Sequence, residues 1–229
     1  MRVFVTGTSR GIGLELARQL AERGDQVVAS ARAPDTSTKL GALRSAHPDR
    51  VEVVELDVAS AESVAGLERR VAPGAIDALI NNAGVVGKLR PLEELDFDDM
   101  QSAYATDALG PLRVTRALLP RLRQSSVKRI MNVSTGMASL ADNGSGGAWG
   151  YRMAKAALNM ATRNLAIALG SEGFACVAVN PGWVKTDMGG SGATMPVEES
   201  AARLLRILDE LSVSESGSFL NYDGQPFPW

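Results

Sequence analysis

Short β-branched runs at residues 3–5, 27–30, 51–56, 76–81, 129–134 and 174–180 alternate with amphipathic stretches of helix length, and this alternation confines the chain to few folds. Between the first two runs Ile12, Leu16 and Leu20 recur at i+4 with Ala17 and Ala21 beside them, the spacing of one buried helix face, and Gly24 follows as a helix stop. Strand, helix and strand in that order make a parallel pair with its crossover packed on one face. Repeated along the chain, with a late strand near residues 219–220, the unit predicts an α/β fold: a single Rossmann-type, doubly wound parallel sheet flanked by helices on both faces. Ligands of such sheets bind at the carboxyl ends of the strands. With 229 residues, 45% hydrophobic and 22% charged, the chain can bury one core, and no linker or repeat divides it. Residues 1–229 are therefore expected to form one domain. Two glycine-rich loops, 141–150 and 186–196, depart from the pattern, and both flank strand ends.

Charge and composition exclude several classes of function. A formal net charge of −2 with scattered lysines and arginines leaves no basic surface for a nucleic-acid backbone, so no nucleic-acid partner is expected. His47 is the only histidine, which removes a histidine base and a zinc site built from several histidines; no metal is expected. Cys176, the only cysteine, cannot close an internal disulfide and reads as a buried structural thiol. Met1-Arg2 leads straight into the first strand without a leader pattern, and no apolar run reaches the ~18 residues of a membrane span. A cytoplasmic protein with no membrane partner is the expectation.

The chemistry-bearing residues fall at the ends of the predicted strands. Thr6-Gly7-Thr8-Ser9-Arg10-Gly11-Ile12-Gly13 follows the first strand and opens the first helix. Glycines there permit positive φ and close approach of backbone to a pyrophosphate, and the helix N-terminus offers free N–H groups. Tyr151 and Lys155 are four apart at the start of a long helix, so both lie on one face about 6 Å apart, where an ammonium can stabilise a phenolate or share a ribose hydroxyl with it. At the end of the second strand no carboxylate stands ready for a ribose, while Arg32 is adjacent and Arg10 lies in the glycine turn. Two guanidinium groups suit a 2′-phosphate, which favours NADP(H) over NAD(H).

The ordered set of motifs resembles the short-chain dehydrogenase/reductase family over essentially the whole chain. Beside the glycine turn stand Asp57 with Val58 after the third strand, Asn81-Asn82-Ala83-Gly84 closing the fourth, Tyr151-x-x-x-Lys155, and Pro181-Gly182-Trp183-Val184-Lys185-Thr186 after the sixth. The runs around Tyr151 and Trp183 are similar to the branch of sniffer-type carbonyl reductases and C-factor-like proteins. The resemblance implies cofactor contacts at Gly7, Ser9, Arg10, Gly11, Ile12, Gly13, Arg32, Asp57, Val58, Asn82, Ala83, Gly84, Tyr151, Lys155, Pro181, Gly182, Val184 and Thr186. It implies that Tyr151 gives a proton to a carbonyl oxygen, that Lys155 also binds the nicotinamide ribose, and that a hydroxyl at the end of the fifth strand orients the substrate. That hydroxyl is Thr135 where the family commonly has serine, with Ser134 beside it and Ser139 as a weaker third candidate. Asp107 stands where the family carries an asparagine whose backbone carbonyl holds a proton-relay water. Pro111, lacking an N–H, would leave the carbonyl of residue 107 free if the stretch is helical.

The expected function is an NADP(H)-dependent oxidoreductase moving a hydride between the nicotinamide and a small carbonyl or alcohol. The alternative is a C-factor-like signalling or nucleotide-sensing protein that binds NAD(P) with little turnover, to which the changes at positions 107 and 135 lend weight. The family implies a homodimer or homotetramer built on two long helices, with Ala154, Ala157 and Ala161 as small residues at the required spacing.

Overall fold

In the computed structural model, which describes residues 1–229, every predicted apolar run forms a strand. In chain order the elements are β1 (Arg2–Thr6), α1 (Gly11–Glu22), β2 (Gln26–Ala31), α2 (Thr38–Ala46), β3 (Val51–Glu55), α3 (Ala61–Ala65), α4 (Leu67–Arg70) and β4 (Ala78–Asn81). There follow α5 (Phe97–Tyr104), a π-helical turn (Ala105–Leu109), α6 (Gly110–Arg123), β5 (Arg129–Val133), α7 (Trp149–Leu169), β6 (Ala175–Asn180), α8 (Val197–Glu210) and β7 (Phe219–Asn221). The seven strands form one sheet in the order β3-β2-β1-β4-β5-β6-β7 with every neighbouring pair parallel. The order reverses between β1 and β4, the switch point at which such sheets open a crevice.

Strand boundaries shift where backbone groups find other partners. The run expected from residue 76 enters the ladder only at Ala78, because the Ile76 N–H donates to the Arg121 carbonyl and the Asp77 N–H to that of Arg2. Phe174 donates to the Leu169 carbonyl and so finishes α7 before β6 begins. Helix α1 ends as expected, with Arg23 at its C-cap and Gly24 following at φ 101°.

Side chains alternate across the sheet and divide the core in two. Val3, Val5, Val27, Ala29, Ala78, Ile80, Val177 and Val179 meet α1, α2 and α8 on one face. Phe4, Val28, Leu79, Ile130 and Cys176 meet α4, α6 and α7 on the other. Cys176 is fully buried, and removal from water pushes its thiol up to about 12, as befits an inert structural cysteine. Near the carboxyl ends of β4 and β5 the second face turns polar: the Asn81 amide donates to Asn132 at 2.8 Å and to Thr115 of α6 at 3.3 Å, and Asn132 donates to Thr162 of α7 at 2.8 Å. These buried hydrogen bonds tie both helices to the strand ends that carry the site.

Candidate active site

The carboxyl ends of the central strands open onto a cleft of about 950 Å³. Its walls bring together Gly7, Ser9, Arg10, Gly11 and Ile12 from the first turn, Arg32 from the end of β2, and Asp57 and Val58 after β3. Asn82, Ala83 and Gly84 follow β4, Ser134 follows β5, Tyr151 and Lys155 project from α7, and Pro181 and Thr186 follow β6. Gly13, Gly182 and Val184, also expected at the cofactor, are not part of the lining, and neither are Thr135 and Asp107. Lys39 and Asp187 line the cleft without having been among the residues singled out from the sequence.

The glycine turn owes its composition largely to its own packing. Gly7 and Gly11 adopt φ of 72° and 58°, and a β-carbon on Gly13 would lie 2.3 Å from the Gly7 carbonyl oxygen and 2.4 Å from Asn82 Nδ2. The third glycine is thus demanded by the turn folding back on itself. Asn82 clamps the same turn, its side-chain amide donating to the carbonyls of Thr6 at 2.9 Å and Gly7 at 3.3 Å, while Thr6 Oγ1 accepts from the N–H groups of Asn82 and Ala83. Helix α1 starts at this turn with no side-chain cap and no acidic residue in its first turn. Its free N–H groups therefore face the cleft as an anion site, and the residues present fit a dinucleotide pyrophosphate.

The two arginines at this end behave differently. Arg32 is exposed and makes no ion pair, whereas Arg10 Nη1 lies 3.2 Å from Asp187 Oδ2 across the cleft mouth. Both members of that pair are about three-quarters exposed, so it is weak and screened by salt. The loop carrying Asp187 is held at its base by the Lys185 N–H donating to the Met195 carbonyl and by the bridge between Val184 and Met195.

Tyr151 and Lys155 occupy the first turns of α7, on the face toward β5. The Lys155 ammonium is buried and donates to the Val133 carbonyl at 2.9 Å, which fixes it at the strand end. Removal of the Tyr151 hydroxyl from water, reinforced by the charge of Asp107, pushes it up to about 12, and the nearby Thr135 hydroxyl works against that rise. The Thr135 hydroxyl itself accepts the Met137 N–H at 3.2 Å, capping the short helical turn after β5. Ser134 turns away, its Oγ donating to Asn159 Oδ1 of α7 at 2.7 Å in a buried pair. The Ser139 hydroxyl donates to the Trp229 carbonyl at 3.0 Å.

The stretch before Pro111 is helical, as the relay argument required, but as a π turn rather than an α turn. Pro111 offers no N–H to residue 107, so the ladder widens there. The turn carries Asp107 fully inside the protein, where Oδ1 accepts the Val85 N–H at 2.9 Å and Oδ2 has no partner. Burial raises the Asp107 carboxyl above the ordinary aspartate range, against the opposing pull of Lys155 and the Val85 N–H.

The polar layer of Asn81, Asn132, Asn159, Thr115 and Thr162 escaped sequence reasoning as a unit. Asn81 and Asn132 stand inside the quoted motifs, but their partners are 30 to 51 residues away.

The short chain dehydrogenase family model matches residues 1–196. The protein named C-signal from Myxococcus xanthus is 50% identical over 159 residues, which cover 69% of this chain and 96% of that one. Among solved structures, the NADPH-bound carbonyl reductase from chicken fatty liver superposes with a TM-score of 0.93 at 34% identity, covering 100% of this chain and 94% of the other. The carbonyl reductase Sniffer of D. melanogaster gives 0.93 at 29% identity, covering 100% and 99%.

Proposed function

The chain belongs to the short chain dehydrogenase family, and from that premise we propose that it is an NADP(H)-dependent carbonyl reductase acting on a small-molecule carbonyl or alcohol. The observation that carries this reading is Tyr151 and Lys155, one turn apart on the same face of α7, lining one nucleotide-sized cleft with the glycine turn. The nicotinamide, when bound, supplies or accepts the hydride. Thr135 orients the substrate oxygen, Tyr151 gives it a proton, and Lys155, anchored on the Val133 carbonyl, keeps a positive charge beside the phenol and directs its remaining protons toward a ribose hydroxyl. Gly7, Ser9, Gly11 and Ile12 with the N-terminus of α1 would hold the pyrophosphate, Asp57 and Val58 the adenine, and Pro181 to Thr186 the carboxamide side. Preference for the 2′-phosphate is supported by the unpaired Arg32, by Arg10 once it leaves Asp187, and by Lys39 on the same wall.

A homodimer or homotetramer belongs to the same reading. Its support has moved from the alanines to other residues: Ala154 and Ala161 are buried within the chain, while Met153, Met160 and Ile167 stand out from α7 at seven-residue spacing, 59%, 62% and 71% exposed.

The test is NADPH oxidation against a panel of aldehydes and ketones, with Tyr151→Phe as control. Turnover is expected in the parent and a loss of about 10²- to 10⁴-fold in the variant, with NADPH affinity within about twofold. Likeness to C-signal favours a second reading, nucleotide binding with signalling rather than turnover. Tight NADPH binding with no turnover on any carbonyl would select it.

A further inference from the structure

The family reading leaves open which way the reaction is poised to run, and the surroundings of Asp107 bear on that. Asp107 is wholly buried with one carboxylate oxygen on the Val85 N–H and the other without a partner. A β-carbon built on Gly84 would lie 3.1 Å from Asp107 Oδ1 and 3.3 Å from Lys155 Nζ, so carboxylate and ammonium flank the same glycine, while the ammonium donates to the Val133 carbonyl and Asp107 Oδ2 stays without a partner. Helices α5, α6 and α7 pack on the turn that carries Asp107. The Asp99 carboxylate of α5 is held by the Lys88 N–H at 2.7 Å, and the Arg113 guanidinium of α6 by the carbonyls of Ala59 and Ala105. From α7, Tyr151 and Lys155 couple to Asp107, and Lys155 is the one cation acting on it.

Lys155 stands one helical turn from Tyr151 on the same cleft-lining face of α7 and across Gly84 from Asp107, so the ammonium lies between two groups that can bear negative charge. We propose that Asp107 is a positioning residue for reaction direction: its carboxylate draws on the Lys155 ammonium in competition with Tyr151, so that Tyr151 is held as a phenol, ready for carbonyl reduction and poorly prepared for alcohol oxidation. The inference rests on the oxidoreductase reading of the site. In reduction the carbonyl carbon gains a hydride from the reduced nicotinamide, which loses two electrons. The π pair of the carbonyl moves onto oxygen, and that oxygen takes the Tyr151 proton, leaving a phenolate. A phenolate that shares Lys155 with a carboxylate recovers a proton from solvent readily, which resets the site for another reduction. Oxidation needs the phenolate at the outset as base, and its population at neutral pH falls tenfold for each unit by which the tyrosine is raised.

Asp107→Asn separates the charge from the geometry, because the amide oxygen can still accept the Val85 N–H. The first measurement is ultraviolet titration of the Tyr151 phenolate, identified by its loss in Tyr151→Phe. Its midpoint is expected to fall by roughly one to two pH units in Asp107→Asn, the shift that one charge at this kind of separation produces at an effective dielectric near 20. The second is the pH profile in both directions: alcohol oxidation at neutral pH should rise about tenfold or more while carbonyl reduction changes less than about threefold. Asp107→Ser, which removes the charge with a smaller side chain, should move the titration the same way and guards against a folding defect peculiar to asparagine. Coincident phenolate midpoints in the parent and both variants would overturn the proposal. A parent that turns over no substrate yet shows the shifted midpoint would overturn the oxidoreductase reading instead, since the titration reads the coupling without catalysis.

Discussion

In the proposed preference for NADP(H), Arg32 is assigned the larger share, because Arg10 pairs with Asp187 whereas Arg32 makes no ion pair. A charge-assisted contact to phosphate is worth about 1.5–3 kcal/mol, or roughly 10- to 150-fold in affinity. Arg32→Ala is therefore expected to weaken NADPH binding by about that factor with little change for NADH, and fluorescence titration of both nucleotides measures it; equal losses for the two would remove Arg32 from the 2′-phosphate. Asp107 makes an expectation of a different kind, about stability and pH. Burial raises its carboxyl in the folded state, so the folded chain binds that proton more tightly than the unfolded chain does. Stability from this site is then fully present below the unfolded aspartate range and is lost as pH climbs through the raised folded value. Asp107→Asn, which has no charge to bury, should show a higher Tm than the parent at pH 7 to 8 and lose that advantage near pH 4. Thermal melts at the two pH values decide the matter, and an advantage at pH 4 equal to that at pH 7 would mean that something other than the charge is responsible.

At the scale of elements, β1, the glycine turn and α1 work as one unit, closed by Asn82 from the end of β4. Gly13 lies where this unit folds most tightly, since the atom nearest an added methyl is the Gly7 carbonyl oxygen, a backbone atom that cannot swing aside. Gly13→Ala should cost at least about 1–3 kcal/mol in stability through overpacking. In a chain of this size that lowers Tm by roughly 3–10 °C, measurable by calorimetry without any nucleotide. An unchanged melting temperature would mean that the turn is looser than described. The π turn before α6 is the other element that shapes the site. Pro111 removes the donor that an α-helix would need, and the widened turn places the carboxyl of Asp107 inside the protein against the Val85 N–H.

For the whole molecule, parallel strands collect every chemistry-bearing loop on one edge of the sheet, while the outer faces of α6 and α7 remain free of the site. A groove of about 430 Å³ between these helices is lined by Leu109, Leu112, Leu119, Leu165 and Leu169, and Met160 and Ile167 stand exposed on α7. Large apolar side chains left outward on a long helix are the pattern of a face covered by another chain. The expected assembly is a homodimer or a homotetramer using this face, and analytical ultracentrifugation of Met160→Glu with Ile167→Glu should show dissociation toward the monomer. A parent that sediments as a monomer at micromolar concentration would end this reading. No helix of the chain is long and apolar enough to cross a membrane.

Strand order along the chain, the helical face of Ile12, Leu16 and Leu20, and the placing of each motif at a strand end were legible from the sequence because they depend on local periodicity. An apolar residue every second or every fourth position reports which face an element buries, wherever that element finally packs. The inert character of Cys176 was legible for a similar reason, since it follows from an apolar strand on both sides. Tertiary structure alone decided that the Ser134 hydroxyl is bound to Asn159, because that pairing depends on where α7 lies against β5. Arg10 is paired with a residue 177 positions away, and the Asn81, Asn132 and Thr162 chain crosses three elements. Asp107 is the sharpest case. Its side chain could be read as a departure from a familiar pattern and as a carboxylate able to come near Lys155, whereas its burial, its unpartnered oxygen and its place beside Gly84 and Lys155 arise from packing of three helices around one turn, and desolvation of that kind has no signature in a linear sequence.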